Sequence, residues 1–432
     1  MKAPELLAPA GSLKMAQTAL DFGATAIYAG QPRYSLRVRN NDFGKLENLA
    51  AGIALTHARG GKFYLVSNIV PHNAKLKTYL ADMAPVVALQ PDALIMADPG
   101  LMLMIRETWP ELPIHLSVQA NTVNHAAVRF WRSIGISRVI LSRELSLDEI
   151  AEIRQECPDT ELEVFVHGAL CIAYSGRCLL SGYFNHRDPN QGSCTNSCRW
   201  DYKVKPAAEN PAGDVFLLEE RERPGQLMPI EEDEHGTYIL NSKDLRAIEH
   251  VARLIEIGVD SLKLEGRTKS PYYVARASQT YRRAIDDALA GRPFDPRLVG
   301  QLDGLANRGY TAGFYDRHPD RDYQNYLSGS SASSRGLYVG DVTGYGADGL
   351  AAIEVKNRFA VGDRIEIVHP SGNFEQVIEK IVGAGDTPVD VAPGNGHHVH
   401  LVLPPGLEGA FIARFLDNEL GTRDHHACAP AS

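Results

Sequence analysis

Four of the six cysteines fall within 28 residues of one another: Cys171, Cys178, Cys194 and Cys198. The other two, Cys157 and Cys428, lie apart from this group. Thiols gathered this closely either pair as disulfides or bind a metal centre. Disulfides are rare in the reducing cytosol, where a chain without a secretory signal is expected to stay. The cysteine pattern therefore favours a metal centre.

The spacing of the four thiols, C-x6-C-x15-C-x3-C, bears on which metal centre they hold. Structural zinc sites usually combine two short C-x2-4-C pairs, and the first pair here is wider. An iron–sulfur cluster is larger than a single ion and is held by cysteines of less regular spacing. The spacing favours an iron–sulfur cluster, with zinc as the alternative metal.

The composition indicates an ordinary globular enzyme. The 432 residues are 44% hydrophobic and 22% charged, and a chain of this length is expected to form two or three domains. The N-terminus lacks the basic and apolar regions of a signal peptide, and no apolar run of about 18 residues predicts a membrane span. We therefore expect a cytoplasmic protein with no membrane partner.

The formal net charge of −9 argues against non-specific coating of nucleic acid. Much of that charge lies in one segment, because residues 209–234 contain nine carboxylates against two arginines. The remainder is close to neutral, so a local basic surface is compatible with the composition.

Short apolar segments alternate with helix-period segments over about the first 290 residues. The apolar segments predict eight strands: Glu5–Pro9, Ala26–Ala29, Phe63–Ser67, Ala93–Ala97, Ile114–Val118, Arg138–Ser142, Glu163–Val166 and Ser261–Leu264. Eight such strands alternating with helices favour a parallel sheet closed into a TIM-like (β/α)8 barrel. An open doubly wound sheet is the competing fold, but no G-x-G-x-x-G turn follows any strand.

The barrel is expected to form a catalytic domain over residues 1–295. Its one irregularity is an insertion at about residues 170–240, between strands 7 and 8, that contains the metal-binding cysteines and an acidic segment. Within that acidic segment, Asp214–Leu218 and Gly236–Leu240 are predicted to pair as an exposed hairpin.

The C-terminal third has a different pattern of predicted secondary structure. Residues 296–334 are predicted to be a linker. From 335 to 416, short strands separated by Gly, Pro and Asp turns predict a small all-β barrel. A disordered tail is expected at 417–432.

The carboxyl ends of parallel barrel strands meet at one face, where TIM-barrel enzymes build their active sites. Polar residues return at strand ends in any protein, so a single one would carry little meaning. Here many converge, and Cys171 follows strand 7 closely. The candidate catalytic residues are His167, Glu144 and Glu265. The candidate substrate-binding residues are Asn68, Asn121, Arg143, Lys263 and Arg267.

The segment from Glu163 to Ser181 resembles the signature of peptidase family U32. The family pattern, E-x-F-x-x-G-[SA]-[LIVM]-C-x4-G-x-C-x-[LIVM]-S, is met at every fixed position, including Cys171 and Cys178. The resemblance covers about residues 1–415. Other stretches that are similar to the family are Ala8–Gly11, Gly192–Trp200, Asn241–Leu245 and Lys263–Arg267.

This resemblance implies a function. The family is named for a collagenase-like peptidase activity, but several bacterial members are oxygen-independent hydroxylation proteins with a [4Fe-4S] cluster. One branch supports 5-hydroxyuridine formation at the wobble position of tRNA and uses prephenate as hydroxyl donor or ligand. The chain length and the all-β C-terminal domain are those of this branch, so a tRNA uridine hydroxylase is expected. A U32 peptidase, or a non-catalytic RNA-binding or accessory iron–sulfur protein, is the alternative.

The resemblance also gives the site residues particular roles. The resemblance implies that Cys171, Cys178 and Cys194 are cluster ligands; the position of the fourth ligand varies within the family, and here it is expected to be Cys198. Prephenate is a small dicarboxylate, which Arg143, Lys263 and Arg267 would pair with.

The anticodon region of tRNA would need contacts to its phosphates and to a splayed-out base. The candidate phosphate-binding residues beside the cysteines are Arg187, Arg199 and Lys203. The candidate rings on which the base would stack are Tyr28, Tyr34, Tyr174 and Trp200.

Overall fold

The computed structural model describes residues 2–31, 33–36, 41–170, 243–307, 309–316 and 336–416, and the backbone of three strands between residues 202 and 230. The chain divides into two compact units. The first comprises Met1–Leu302 and Asn307–Ala332, and the second comprises Asp303–Ala306 and Ser333–Ser432.

Eight parallel strands close into a barrel in the first unit. In chain order the strands of this unit are β1 (Glu5–Pro9), β2 (Ala26–Gly30), β3 (Lys62–Ser67), β4 (Ala93–Met96), β5 (Ile114–Leu116), β6 (Arg138–Ile140), β7 (Glu161–Ala169), β8 (Tyr202–Pro206), β9 (Phe216–Glu220), β10 (Leu227–Ile230), β11 (Asp244–Arg246), β12 (Ser261–Leu264) and β13 (Tyr310–Thr311). Strands β1 to β7 are neighbours in sequence order, and β12 pairs with both β7 and β1 to close the barrel. The predicted TIM-like barrel and its eight predicted strands are confirmed.

Helices follow the barrel strands and cover them. They are α1 (Leu13–Asp21), α2 (Leu46–Ala58), α3 (Asn73–Val87), α4 (Pro99–Thr108), α5 (His125–Ser133), α6 (Leu147–Glu156), α7 (Val251–Ile257), α8 (Pro271–Leu289) and α9 (Arg297–Asp303). Short polar side chains start several of them. At α6, for example, Ser146 and Glu149 form a reciprocal capping box. Among the described residues, no helix has the length and apolar content needed to cross a membrane.

The sheet continues beyond the barrel at β7. Strand β11 pairs antiparallel with β7, and β13 pairs parallel with β11. The segment predicted as a linker contains α9 and β13, and Leu298 of α9 is fully buried.

In the insertion, β9 lies between β8 and β10 in an antiparallel sheet. Strand β9 overlaps the predicted segment Asp214–Leu218. It pairs with β10 on one side and with β8 on the other. The predicted partner segment, Gly236–Leu240, lies outside the described residues.

The second unit is an all-β domain, as the sequence predicts. Its strands are β14 (Gly336–Tyr345), β15 (Ala351–Val355), β16 (Phe359–Ala360), β17 (Arg364–Val368), β18 (Phe374–Val377), β19 (Ile381–Val382), β20 (Pro388–Val389), β21 (Val391–Ala392), β22 (His398–Leu401) and β23 (Phe411–Phe415). Eight of them form an antiparallel half-barrel in the order β18-β17-β23-β14-β15-β22-β19-β20. Inward residues such as Ile353, Ile365 and Ile412 are fully buried in its core. The predicted tail at 417–432 lies outside the described residues.

Candidate functional site

A cluster of charged side chains surrounds two aromatic rings at the C-terminal end of the barrel. The guanidinium of Arg143, just after β6, lies 3.7 Å from the ring centroid of Phe165 on β7. The Nζ atom of Lys263, on β12, lies 4.5 Å from the ring centroid of Tyr28 on β2. The guanidinium of Arg267 lies 5.9 Å from the same Tyr28 ring. The barrel thus brings the three predicted substrate-binding cations together.

We refer to Tyr28, Arg143, Phe165, Lys263, Glu265 and Arg267 as the mouth cluster. Within it, Arg143 donates to the Glu265 carboxylate at 2.5 Å, and the side chains are 11% and 20% exposed. Because this pair is only partly buried, an incoming anion can compete with Glu265 for Arg143.

Tyr28 is a buried member of the mouth cluster, only 5% exposed. Its hydroxyl donates to the backbone carbonyl of Leu264 at 2.9 Å. Burial and the charge of Glu265 raise the pKa of Tyr28 well above its usual range, so the hydroxyl stays protonated. The proposed base-stacking rings Tyr28 and Tyr34 are both buried, so neither presents a face to a base in this conformation.

Lys263 lies deeper than the sequence suggests. Its Nζ donates to Glu163 at 2.7 Å, and the Glu163 side chain is completely buried. Burial lowers the pKa of Lys263, while the Glu163 carboxylate opposes that effect. The sequence shows the cation but not its partner on β7, and the charge of Lys263 is already matched inside the barrel.

Arg267 lies directly against the backbone of Gly30, at the end of β2. A Cβ atom at Gly30 would be 2.1 Å from Nη1 of Arg267 and 2.4 Å from Oγ of Ser35. Glycine is therefore required for this close approach. Ser35 is 1% exposed, and its hydroxyl has no hydrogen-bond partner among the described residues. Gly30 and Ser35 are parts of the site that the sequence pattern did not reveal.

The two predicted asparagines tie the loops around the mouth together. Asn68 accepts from the backbone N–H of Leu36 and donates to Oγ of Ser117, both at 3.2 Å. The Asn121 side chain accepts from the hydroxyl of Ser142 at 2.8 Å. Asn121 also has a left-handed backbone with a φ of 55°, a conformation that non-glycine residues adopt mainly where the surroundings hold them.

Glu144 follows Arg143 at the end of β6. Its Oε2 atom is buried and has no hydrogen-bond partner among the described residues. A carboxylate oxygen in this situation is an available acceptor, which suits a group that holds or takes a proton.

His167 faces the helices instead of the barrel axis. Its ring centroid lies 5.5–5.7 Å from those of Tyr273, Tyr281 and Tyr310. The cause is an irregularity in the pairing of β7 with β12. Lys263 pairs with Phe165, but the next residue of β12, Leu264, pairs with His167, so β7 has one extra residue at this point. The extra residue places His167 on the opposite side of the sheet from the one that strict alternation would give it. The expectation that His167 lies at the mouth is wrong in this respect, although its catalytic role stays a prediction.

The His167 ring is buried, and neither ring nitrogen has a hydrogen-bond partner among the described residues. Burial, together with the nearby charges of Arg246 and Lys269, lowers the pKa of His167 to about 3. The ring is therefore neutral at physiological pH.

A second charged group lies near the N-terminal end of the barrel strands and was not foreseen. Arg138 donates to Glu5 at 2.6 Å and to Glu163 at 3.2 Å. Glu5 also accepts from the Tyr64 hydroxyl at 2.7 Å and from the Ser261 hydroxyl at 3.1 Å. We call Glu5, Tyr64, Arg138, Glu163 and Ser261 the floor network.

The predicted metal ligands and RNA-binding residues are not among the residues whose side chains the structure describes. These are Cys171, Cys178, Cys194, Cys198, Arg187, Arg199 and Lys203, together with the stacking candidates Tyr174 and Trp200. Within the described part of the chain, no group of three or more His, Cys, Asp or Glu residues is arranged to hold a metal ion.

Cys157 lies far from the start of the cysteine-containing insertion. It precedes β7, is 3% exposed and is a free thiol. The nine-residue strand β7, about 30 Å long, runs between Cys157 and Leu170, the last described residue before the insertion. Cys171 itself lies outside the described residues.

Two family models match the chain. Peptidase family U32 matches residues 11–325, and the peptidase family U32 C-terminal domain matches residues 335–414. Both compact units are thus accounted for by the same family.

Curated relatives match nearly the whole chain. The tRNA hydroxylation protein P of Escherichia coli is 57% identical over 450 residues, covering 98% of this chain and 99% of its own. The protein of the same name from Haemophilus influenzae is 53% identical and covers 98% of both chains. Among solved structures, the C-terminal domain of a Geobacillus thermoleovorans protein described as a U32 peptidase is 31% identical, with a TM-score of 0.17, over 18% of this chain and 98% of its own.

Proposed function

This chain belongs to peptidase family U32, and from that membership we propose that it supports tRNA hydroxylation, specifically formation of 5-hydroxyuridine at the wobble position. The observation that carries the proposal is the 57% identity, over 98% of the chain, to a tRNA hydroxylation protein. The mouth cluster supports it independently, because it offers three cations and a carboxylate at the face where barrel enzymes carry out chemistry.

The proposed small-molecule partner is prephenate, as hydroxyl donor or ligand. Arg267 would pair with one carboxylate, and Gly30 permits the guanidinium to take its position. Arg143 would pair with the second carboxylate when that group replaces Glu265. The stacking of Arg143 on Phe165 would keep the guanidinium oriented during this exchange.

Glu144 and Glu265 are the proposed proton-handling residues. Glu144 has a buried carboxylate oxygen without a partner among the described residues, so it can accept an N–H or O–H from the substrate. Glu265 would be available to accept a proton once its pairing with Arg143 is exchanged. Asn68 and Asn121 would hold the surrounding loops in place through their hydrogen bonds to Ser117 and Ser142.

The proposed cofactor is a [4Fe-4S] cluster held by Cys171, Cys178, Cys194 and Cys198. Four thiols are the usual ligand set for such a cluster, and β7 brings the chain to within two residues of Cys171. When bound, the cluster would supply a redox-active or Lewis-acidic centre for hydroxylation without molecular oxygen. Zinc remains the alternative metal.

The test is nucleoside analysis of tRNA from a strain that lacks the gene and is complemented with this sequence. We expect the wild-type chain and Cys157→Ser to restore 5-hydroxyuridine, and Cys171→Ser to fail although the protein accumulates. Unchanged tRNA together with gelatin cleavage by the purified chain would overturn the proposal in favour of the peptidase alternative.

A further inference from the structure

We propose that one side of the barrel's C-terminal rim binds the phosphate backbone of RNA, an inference that rests on the proposed tRNA substrate. In a parallel barrel, each helix begins at the end where the preceding strand finishes. Cations lie near the starts of four helices, in loops or first turns. These residues, which we call the cationic arc, are Lys14, Arg33, Lys45, Lys75, Lys77 and Lys269.

The cationic arc is continuous around the rim. Its residues follow β12, β1, β2 and β3, which are successive neighbours in the barrel. The opposite side of the rim has the reverse character. There, the loops and helix starts after β4 and β6 contain Asp98, Glu144, Asp148 and Glu149.

The centre of the arc is held rigidly. Arg33 pairs with Asp82 of α3 at 2.6 Å, and the hydroxyl of Tyr34 donates to the same carboxylate at 2.5 Å. The Gln31 side chain accepts from the backbone N–H groups of Arg33 and Tyr34 at 2.8 and 2.9 Å. Arg33 and Tyr34 are therefore fastened to α3, so Arg33 and the lysines of α3 keep a constant relation.

Lys45 and Lys77 are the clearest candidates for phosphate contacts. Both are exposed, and neither forms an ion pair with any described residue. The carboxylates nearest in sequence, Asp42 and Glu47, only partly offset the charge of Lys45. An exposed lysine without an internal partner loses little when it turns to a phosphate.

Charge elsewhere in the described residues disfavours the other surfaces. Residues 336–416 of the C-terminal unit contain ten acidic side chains against five basic ones. At the opposite end of the barrel, Lys2 and Arg59 are paired with Asp260 and Asp21. A polyanion is therefore better matched to the cationic arc than to either of these two surfaces.

The shape of the arc favours RNA over a small anion or an acidic peptide. A small anion needs donors that converge on one point, whereas these cations are spread over four strand–helix units. A nucleic-acid backbone presents charges in series and suits such a track. The arc borders the mouth cluster, so a strand following it would bring a base towards the residues proposed to act on it.

The experiment measures tRNA binding by the full-length protein at several salt concentrations. Lys45→Glu combined with Lys77→Glu is expected to weaken binding at least about tenfold near 0.1 M salt. The slope of log affinity against log salt concentration should also decrease by about two, which corresponds to two lost phosphate contacts. Lys62→Glu is the matched control, because Lys62 is also exposed but begins β3 at the opposite end of the barrel. It should bind tRNA as the wild type does.

A thermal unfolding measurement establishes that the double variant is folded, and Lys45→Ala with Lys77→Ala provides a milder pair. Wild-type affinity and salt slope in both double variants would overturn the inference. So would loss of tRNA modification at unchanged tRNA affinity, which would indicate an acidic protein partner on this surface. If the wild type binds tRNA through the arc but restores no 5-hydroxyuridine, the proposed function fails and the RNA surface stands.

Discussion

The floor network and the mouth cluster are neighbouring layers of one barrel, joined by the Lys263–Glu163 pair at 2.7 Å, and they use the same residue types differently. In the floor network, Arg138 is 3% exposed and contacts Glu5 and Glu163, which are 12% and 0% exposed. In the mouth cluster, Arg143 shares a single carboxylate, and both partners reach solvent. Saturated buried charges stabilise one barrel geometry, while partly exposed pairs leave charge that a ligand can use. Arg and Glu at strand positions therefore indicate a site only when their partners are known.

The largest effect is expected from breaking the floor network. Arg138→Met would leave Glu5 buried without its cation and Glu163 with Lys263 alone, at a cost of about 3–5 kcal/mol in the free energy of unfolding. Arg59→Met, which removes the surface pair with Asp21, is the control and should cost about 1 kcal/mol or less. Urea denaturation measures both. Equal, small losses would mean that the floor network does not stabilise the barrel.

A smaller and more local effect is expected from Gly30→Ala at the mouth. The added Cβ would displace the Arg267 guanidinium and the Ser35 hydroxyl, both of which are side-chain ends that can move. Stability should change little, but the loss of one charge-assisted contact should weaken prephenate binding about tenfold or more.

Isothermal titration with prephenate measures this effect. Gly344→Ala is the matched control, because a Cβ there meets no atom within 4 Å. Unchanged prephenate affinity in Gly30→Ala would remove Arg267 from the proposed carboxylate site.

The third prediction concerns His167 and is the smallest near neutral pH. His167→Phe replaces a ring whose nitrogens have no partner among the described residues, so stability at pH 7 should stay within about 1 kcal/mol of wild type or rise. Below pH 6.5, His167 takes up a proton in the unfolded chain. In the folded protein its pKa is about 3, so the ring stays neutral over most of this range. Wild type therefore loses stability as pH falls from about 6.5 towards 3, and the variant should lose less.

Unfolding free energies measured across this pH range test the prediction, and the remaining slope in the variant includes that of His115, whose pKa burial also lowers. An identical slope in both proteins would mean that His167 is not buried in its neutral form. Retained tRNA hydroxylation by a stable His167→Phe would also remove the ring from the catalytic candidates.

The sequence predicts the fold well because its signals are local. Apolar strands at regular spacing are readable one at a time, and eight of them suffice for the barrel. Features that depend on pairing were not readable. The irregular register that turns His167 outward involves β12, about a hundred residues further along the chain. Likewise, the partner of Lys263 on β7 follows only from the closed barrel.

The most direct test of the account compares Arg267→Met at the mouth with Ser261→Ala in the floor network. Ser261 contributes a single hydrogen bond to Glu5, so its variant should fold and function. The measurement is the 5-hydroxyuridine content of tRNA in a complemented deletion strain at matched protein levels. We predict that Arg267→Met restores none while Ser261→Ala restores the wild-type level. Full restoration by Arg267→Met would contradict the assignment of the reaction to the mouth cluster.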